Sequence, residues 1–159
     1  MESSSQPDVH VNLKGVHLCC GGCVDAVASA LEPMRGVAFQ CDMEHGTVTL
    51  AAKDDAVAQQ ALDAIAAAGL HGETGDPRLA MTPEPNVPPG MVRRLKLSGV
   101  HNCCRACYEG IKGAIESVQG VTGDTVQPEL TSFEVIGDFS AAQLIGALNA
   151  SGFHAKVNE

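Results

Sequence analysis

The window GVHLCCGGC at residues 15–23 returns as GVHNCCRAC at residues 99–107, with the Gly, the Val, the His and all three Cys in the same places. A duplication of this kind constrains the fold strongly, because whatever one copy forms the other must also form. The surroundings repeat as well. An alternating apolar run precedes each window, Val9, Val11 and Leu13 in the first copy and Leu95 and Leu97 in the second. A period of two predicts a strand with one buried face. A helical spacing follows each window, through Val24, Val27, Ala28 and Leu31, and through Tyr108, Ile111, Lys112 and Ile115. Gly36 and Gly120 close these helices, each followed by Val.

Short strands come next, Val37 to Met43 and Thr47 to Ala51 around the turn Glu44-His45-Gly46, with Pro128-Glu129 as the turn before Ser132 to Ile136 in the second copy. A second helix is expected from about Asp55 to Ala68 and from about Ser140 to Ser151, with Ser140 as N-cap. Gly69 and Gly152 end these helices, and a last short strand opens at Leu70-His71 and Phe153-His154. The expected fold class is therefore α+β, two ferredoxin-like β-α-β-β-α-β sandwich domains. They span residues 9–72 and 92–159, after a flexible tail at 1–8.

Residues 73–91 join them and hold Pro77, Pro83, Pro85, Pro88 and Pro89. That composition predicts an extended, semi-rigid linker, which lets the domains stand apart without preventing them from turning to share one ion. Domains of this size bury only about 60% of their unfolded surface, so a metal staple would help them. With 3% aromatic residues and no Trp, the cores must be built from Ala, Val, Leu and Ile.

The formal net charge of −9 argues against a nucleic-acid partner, which needs clustered cations. Residues 9–72 carry three basic and seven acidic groups, and residues 92–159 six basic and seven acidic, so the copies present different surfaces. No apolar run long enough to span a bilayer and no signal-peptide pattern is present, and a cytoplasmic chain without membrane insertion is expected. In that setting seven Cys point to metal or redox thiols rather than a disulfide framework.

Each window lies between a strand and a helix, with Cys20 and Cys23, or Cys104 and Cys107, in C-x-x-C spacing. Unpaired N–H groups at a helix start favour thiolate over thiol, and thiolates select Cu(I), Zn(II) and similar soft ions. Cys19 and His17, or Cys103 and His101, share the loop and could complete a Cys3His set. Two thiolates suit linear Cu(I), whereas a third thiolate and an imidazole suit four-coordinate Zn(II) or Cd(II); the spacing leaves both open. Adjacent cysteines do not easily aim at one ion, so Cys19 and Cys103 are expected as outer members, free for a second ion or for handing metal on. Hydrogen bonding is an equal alternative for His17 and His101. His71, His154, His45 and His10 are expected to have no ligand role, and Cys41, unmatched in the second copy, to pack.

The chain resembles a tandem of heavy-metal-associated domains, the modules of copper chaperones, mercury-binding proteins and the N-termini of metal-pumping P-type ATPases. The resemblance rests on the family loop G-M-x-C-x-x-C, met here by Gly15-Val16 and Gly99-Val100 and by the pairs Cys20/Cys23 and Cys104/Cys107. This chain has Val for Met, and its loops are two residues longer, adding HLC and HNC. The resemblance implies a metal-trafficking, buffering or detoxification role, and a P-type ATPase or other metal acceptor as partner. It also places Leu70 and Phe153 close to the metal loops. One ion per domain is the expected load. No catalytic constellation is present, so a non-enzyme is expected. A thiol–disulfide protein using the C-x-x-C pairs, and an interaction module stapled by structural metal, are the alternatives.

Overall fold

The computed structural model describes residues 9–76, 78–82 and 84–158; the expected tail at 1–8, Pro77, Pro83 and Glu159 lie outside them. The chain is a mixed α/β structure with two antiparallel sheets and four helices among the described residues. In the first half, β1 (Val9–Leu13), α1 (Gly21–Leu31), β2 (Val37–Asp42), β3 (Thr47–Ala52) and α2 (Asp55–Ala67) follow in order. The second half gives β4 (Met91–Ser98), α3 (Arg105–Glu116), β5 (Val121–Asp124), β6 (Phe133–Ser140), α4 (Ala141–Ala150) and β7 (Lys156–Asn158). The sheets run β1-β3-β2 and β5-β6-β4-β7.

Period two in the strands puts Val11, Leu13, Val48, Leu50 and Ala52 on the covered face of the first sheet. The helices cover it with their apolar stripes, Cys23, Val27 and Leu31 from α1 and Ala58, Ala61, Leu62, Ile65 and Ala66 from α2. The second half repeats this with Ile111, Ala114 and Ile115 from α3 and Leu144, Ile145 and Leu148 from α4. Full burial of each Leu or Ile stabilises by about 1.5–3 kcal/mol, which is how a core almost free of aromatics suffices. Asp54 caps α2 by accepting from Val57 N at 2.9 Å, and Ser140 caps α4 by accepting from Gln143 N at 3.2 Å.

Three expectations change. The last strand of the first half does not form from Leu70-His71; Leu70 instead makes an isolated antiparallel bridge to Phe153, and Glu73 bridges Lys14. The last strand of the second half begins at Lys156 rather than Phe153 and pairs with β4. The Pro-rich segment is not held away from the halves. Leu79 and Met81 are buried, and Gln59 Nε2 donates to Ala80 O at 2.6 Å, so the segment folds back over α2. Glu84 Oε2 then accepts from Val157 N at 2.8 Å, tying the same segment to β7.

The two halves meet along a pseudo-twofold contact. His71 N donates to Gly152 O at 2.9 Å, and His154 N donates to Gly69 O at 2.9 Å, with His101 N donating to the same oxygen at 3.3 Å. The imidazoles of His71 and His154 stack across it at 5.7 Å. Gly69 and Gly152 have φ of +91° and +92°, and a Cβ on either would collide with backbone at the opposite window, His101 N in one case and His17 N in the other. Glycine is required there for both reasons.

Candidate metal centre

The backbone contact just described faces the two windows toward each other. Each window ends as the N-cap of a helix: Cys20 caps α1 and Cys104 caps α3, both with extended backbone and no side-chain capping bond. Cys23 and Cys107 fall in the first helical turn and are fully buried. The residues that lengthen each loop turn inward. Leu18 is buried, and its counterpart Asn102 is buried with Nδ2 donating to Gln127 O and Leu130 O, both at 2.9 Å. These anchors present the flanking His and Cys to the centre. Asn102 was missed in the sequence reading, where its difference from Leu18 was the only available signal.

Six sulfurs converge. Cys19 Sγ lies 3.4 Å from Cys23 Sγ, 3.6 Å from Cys107 Sγ and 3.1 Å from Cys104 Sγ. Cys23 and Cys107 approach at 3.7 Å, Cys103 stands 3.8 Å from Cys107 and 4.0 Å from Cys23, and Cys20 stands 3.7 Å from Cys103 and 3.6 Å from Cys104. Cys104 and Cys107 are 3.7 Å apart. With a metal–sulfur bond of about 2.3 Å, tetrahedral coordination separates sulfurs by about 3.8 Å and linear coordination by about 4.6 Å. The separations within the two His-containing groups, 3.4 to 4.0 Å, lie around the former, and the 3.1 Å approach of Cys19 and Cys104 is shorter than either.

Three groups of side chains bring one ligand atom each within 4.8 Å of one another: His17, Cys19, Cys23 and Cys107; Cys23, His101, Cys103 and Cys107; and Cys19, Cys20 and Cys104. All eight residues singled out from the sequence are therefore present. Their grouping is not the expected one. The expectation of a separate site in each copy gives way to groups that each draw on both halves, because the Gly69 and Gly152 contacts bring the loops together. Cys19 and Cys103, expected as outer members, are the exposed thiols of the cluster and yet lie within reach of the buried Cys and the His, while Cys20 and Cys104 are half-buried. Phe153 packs on the imidazole of His17 across the contact, ring centres 4.5 Å apart. Cys41 stands on β2, and burial raises its thiol pKa.

The electrostatics divide the window thiols, lowering Cys23 and Cys104 and raising Cys19, Cys103 and Cys107. The Cys107 thiol, hydrogen-bonded to Cys23, pulls Cys23 far below the usual thiol range and is itself raised by the same sharing. Cys104 is lowered to about 6, chiefly by its hydrogen bond with Cys19. Burial pushes Cys103 up to about 12 and raises Cys19 likewise. His17 is held below its ordinary value by burial, which keeps its imidazole neutral and able to ligate. His17 Nε2 and His101 Nε2 are buried without a hydrogen-bond partner among the described residues.

No family model matches the chain. A copper binding domain from HMA7, a P-type ATPase, is similar at 20% identity and a TM-score of 0.39, over 43% of this chain and 96% of that one. The copper(I) loaded form of the first domain of the human copper chaperone for SOD1 is similar at 20% identity and a TM-score of 0.37, over 42% and 92%. The N-terminal soluble domains of Bacillus subtilis CopA are similar at 16% identity and a TM-score of 0.36, over 99% and 97%. These likenesses are weak, and the reading of the site stands on its own side chains. No described helix is long and apolar enough to cross a membrane.

Proposed function

We propose that the chain binds soft metal ions, Cu(I) or Zn(II)/Cd(II), as cargo for trafficking, buffering or detoxification. In this reading it is a carrier rather than an enzyme. It is built from two ferredoxin-like units, the first β-α-β-β-α and the second β-α-β-β-α-β, joined by the Pro-rich segment 73–91, and it delivers to a metal acceptor such as a P-type ATPase. The observation that carries the reading is the convergence of six thiols and two buried imidazoles in one place. Hard ions prefer oxygen donors, whereas this set is sulfur with imidazole, the donors of thiophilic ions. Neutral imidazole at His17 and lowered thiols at Cys23 and Cys104 can ligate without losing a proton, whereas the raised thiols at Cys19, Cys103 and Cys107 release theirs on binding.

The test is metal content and affinity. Reduced protein isolated anaerobically should carry Cu, Zn or Cd and hold it against competing chelators. The variant with the six window cysteines replaced by Ser should hold none. Equal retention by both proteins would refute the reading. A thiol–disulfide role is favoured by one observation, the 3.1 Å approach of the partly exposed Cys19 and Cys104 sulfurs. Insulin reduction that depends on these two cysteines would establish it instead.

A further inference from the structure

The metal-binding reading leaves open how eight donors are divided. Both groups that contain a His also contain Cys23 and Cys107, and each is completed by the His and the outer Cys of one half. The sulfur triangle Cys19–Cys23–Cys107 has edges of 3.4, 3.7 and 3.6 Å. The triangle Cys103–Cys107–Cys23 has edges of 3.8, 3.7 and 4.0 Å. They share the buried Cys23–Cys107 edge. Packed sulfurs alone would give similar separations. The imidazoles distinguish the cases, since each brings a ring nitrogen within reach of one triangle and leaves a buried Nε2 unpartnered among the described residues. Unpartnered nitrogens also occur at His71 and His154; what sets His17 and His101 apart is that a ring nitrogen of each lies within 4.8 Å of all three sulfurs of its group.

From this geometry we infer that the two copies build one dinuclear centre, with Cys23 and Cys107 as bridging thiolates, one ion completed by His17 and Cys19 and the other by His101 and Cys103. The inference rests on the metal-binding reading. Charge selects the ion. Four thiolates carry four negative charges, and two divalent cations cancel them, whereas two Cu(I) would leave a net charge of −2 in a buried site. A buried unbalanced charge is costly, so Zn(II) and Cd(II) are the ions of this centre. Cys20 and Cys104, half-buried beside the exposed Cys19 and outside both His-containing groups, are left as the thiols through which ions enter and leave. A bridged centre also requires both halves, so loading ties the two copies to each other.

The experiment is titration of the reduced full chain with 113Cd(II) under anaerobic conditions, followed by 113Cd NMR and native mass spectrometry. The expected result is two ions per chain, taken up without an abundant one-ion species, with two resonances coupled through a shared sulfur. Cys23→Ser should shift or abolish both resonances together, whereas Cys41→Ser, outside every donor group, should retain both ions. Two uncoupled resonances, of which Cys23→Ser and Cys107→Ser each remove a different one, would overturn the bridge while leaving metal binding intact. Any other stoichiometry would overturn it as well. A chain that binds Cu(I) but no Cd(II) would overturn the divalent dinuclear centre alone, and one that binds none of Cd(II), Zn(II) or Cu(I) would overturn the metal-binding reading itself. The coupling is read in the unsubstituted protein, so it decides the matter even if a Cys23 variant fails to fold.

Discussion

Gly69→Ala tests whether the contact that assembles the site is held as tightly as the structure shows. Gly69 sits at φ +91°, and its added Cβ would overlap His101 N, Gly99 O and the Val100 carbonyl carbon. Placing an L side chain in such a conformation costs about 1–3 kcal/mol. The obstructing atoms are backbone and cannot rotate away, so relief requires the halves to part locally. Parting breaks the bonds from His154 N and His101 N to Gly69 O. Each is worth about 1 kcal/mol, giving a total near 3–5 kcal/mol. Urea denaturation followed by circular dichroism measures the loss, and amide spectra locate it at residues 69–71, 99–101 and 152–154. Gly113→Ala and Gly146→Ala are internal controls, since they lie in α3 and α4 with no atom within 4 Å of the added methyl. Each should gain about 0.5–1 kcal/mol from helix propensity alone. A Gly69→Ala loss below about 1 kcal/mol, with unshifted amides at the opposite window, would refute the reasoning.

Acid should weaken the fold through the stacked imidazoles. Burial holds His71 and His154 below the ordinary value of 6.5, so the unfolded chain binds more protons near that pH. The stability they contribute is complete above pH 6.5 and falls as the pH drops through it. Denaturation at pH 7.5 and 5.5 should show the loss, and His71→Gln with His154→Gln should flatten it. In the metal-free protein Cys104, lowered to about 6, should be the window thiol that iodoacetamide modifies fastest at pH 7, ahead of Cys103 at about 12. Peptide mapping by mass spectrometry reads the order, and equal rates for the two would contradict the assigned hydrogen bonding. Lys112 Nζ stands 2.9 Å from the nearly buried Asp124 carboxylate, so Lys112→Met should cost about 1–3 kcal/mol by stranding it, measured by thermal melt. Asn102→Ala removes two bonds to the 127–130 loop and should cost a similar amount, with the second window loosened in amide exchange.

Local periodicity carries far in this chain. The alternation Val9, Val11, Leu13 formed β1, the spacing Val24, Val27, Ala28, Leu31 formed α1 with Val27 and Leu31 on its buried face beside Cys23, and Ser140 capped α4 as a side chain of that type can. The eight donors were equally legible, because His and Cys at a strand-to-helix junction carry their chemistry in their identity. Where the sequence reading ran short, the deciding contact lay far along the chain. Leu70 and Phe153 each fit the opening of a strand within their own copy, yet they pair with one another. The prolines of 73–91 suggested a spacer, but Leu79 and Met81 supply apolar surface that must be buried, and burial draws the segment inward.

The sequence by itself determined the donor chemistry of the two windows, sulfur with imidazole, since ligand softness is a property of the side chain and not of its neighbours. It also determined that two equivalent loops would exist. Only the tertiary structure decided which donors act together. Cys23 and Cys107 are 84 residues apart, and their 3.7 Å approach depends on two glycines where the backbones of the halves touch. Spacing along a chain describes one loop at a time, whereas a shared edge between two sulfur triangles exists only once both loops occupy the same few ångströms.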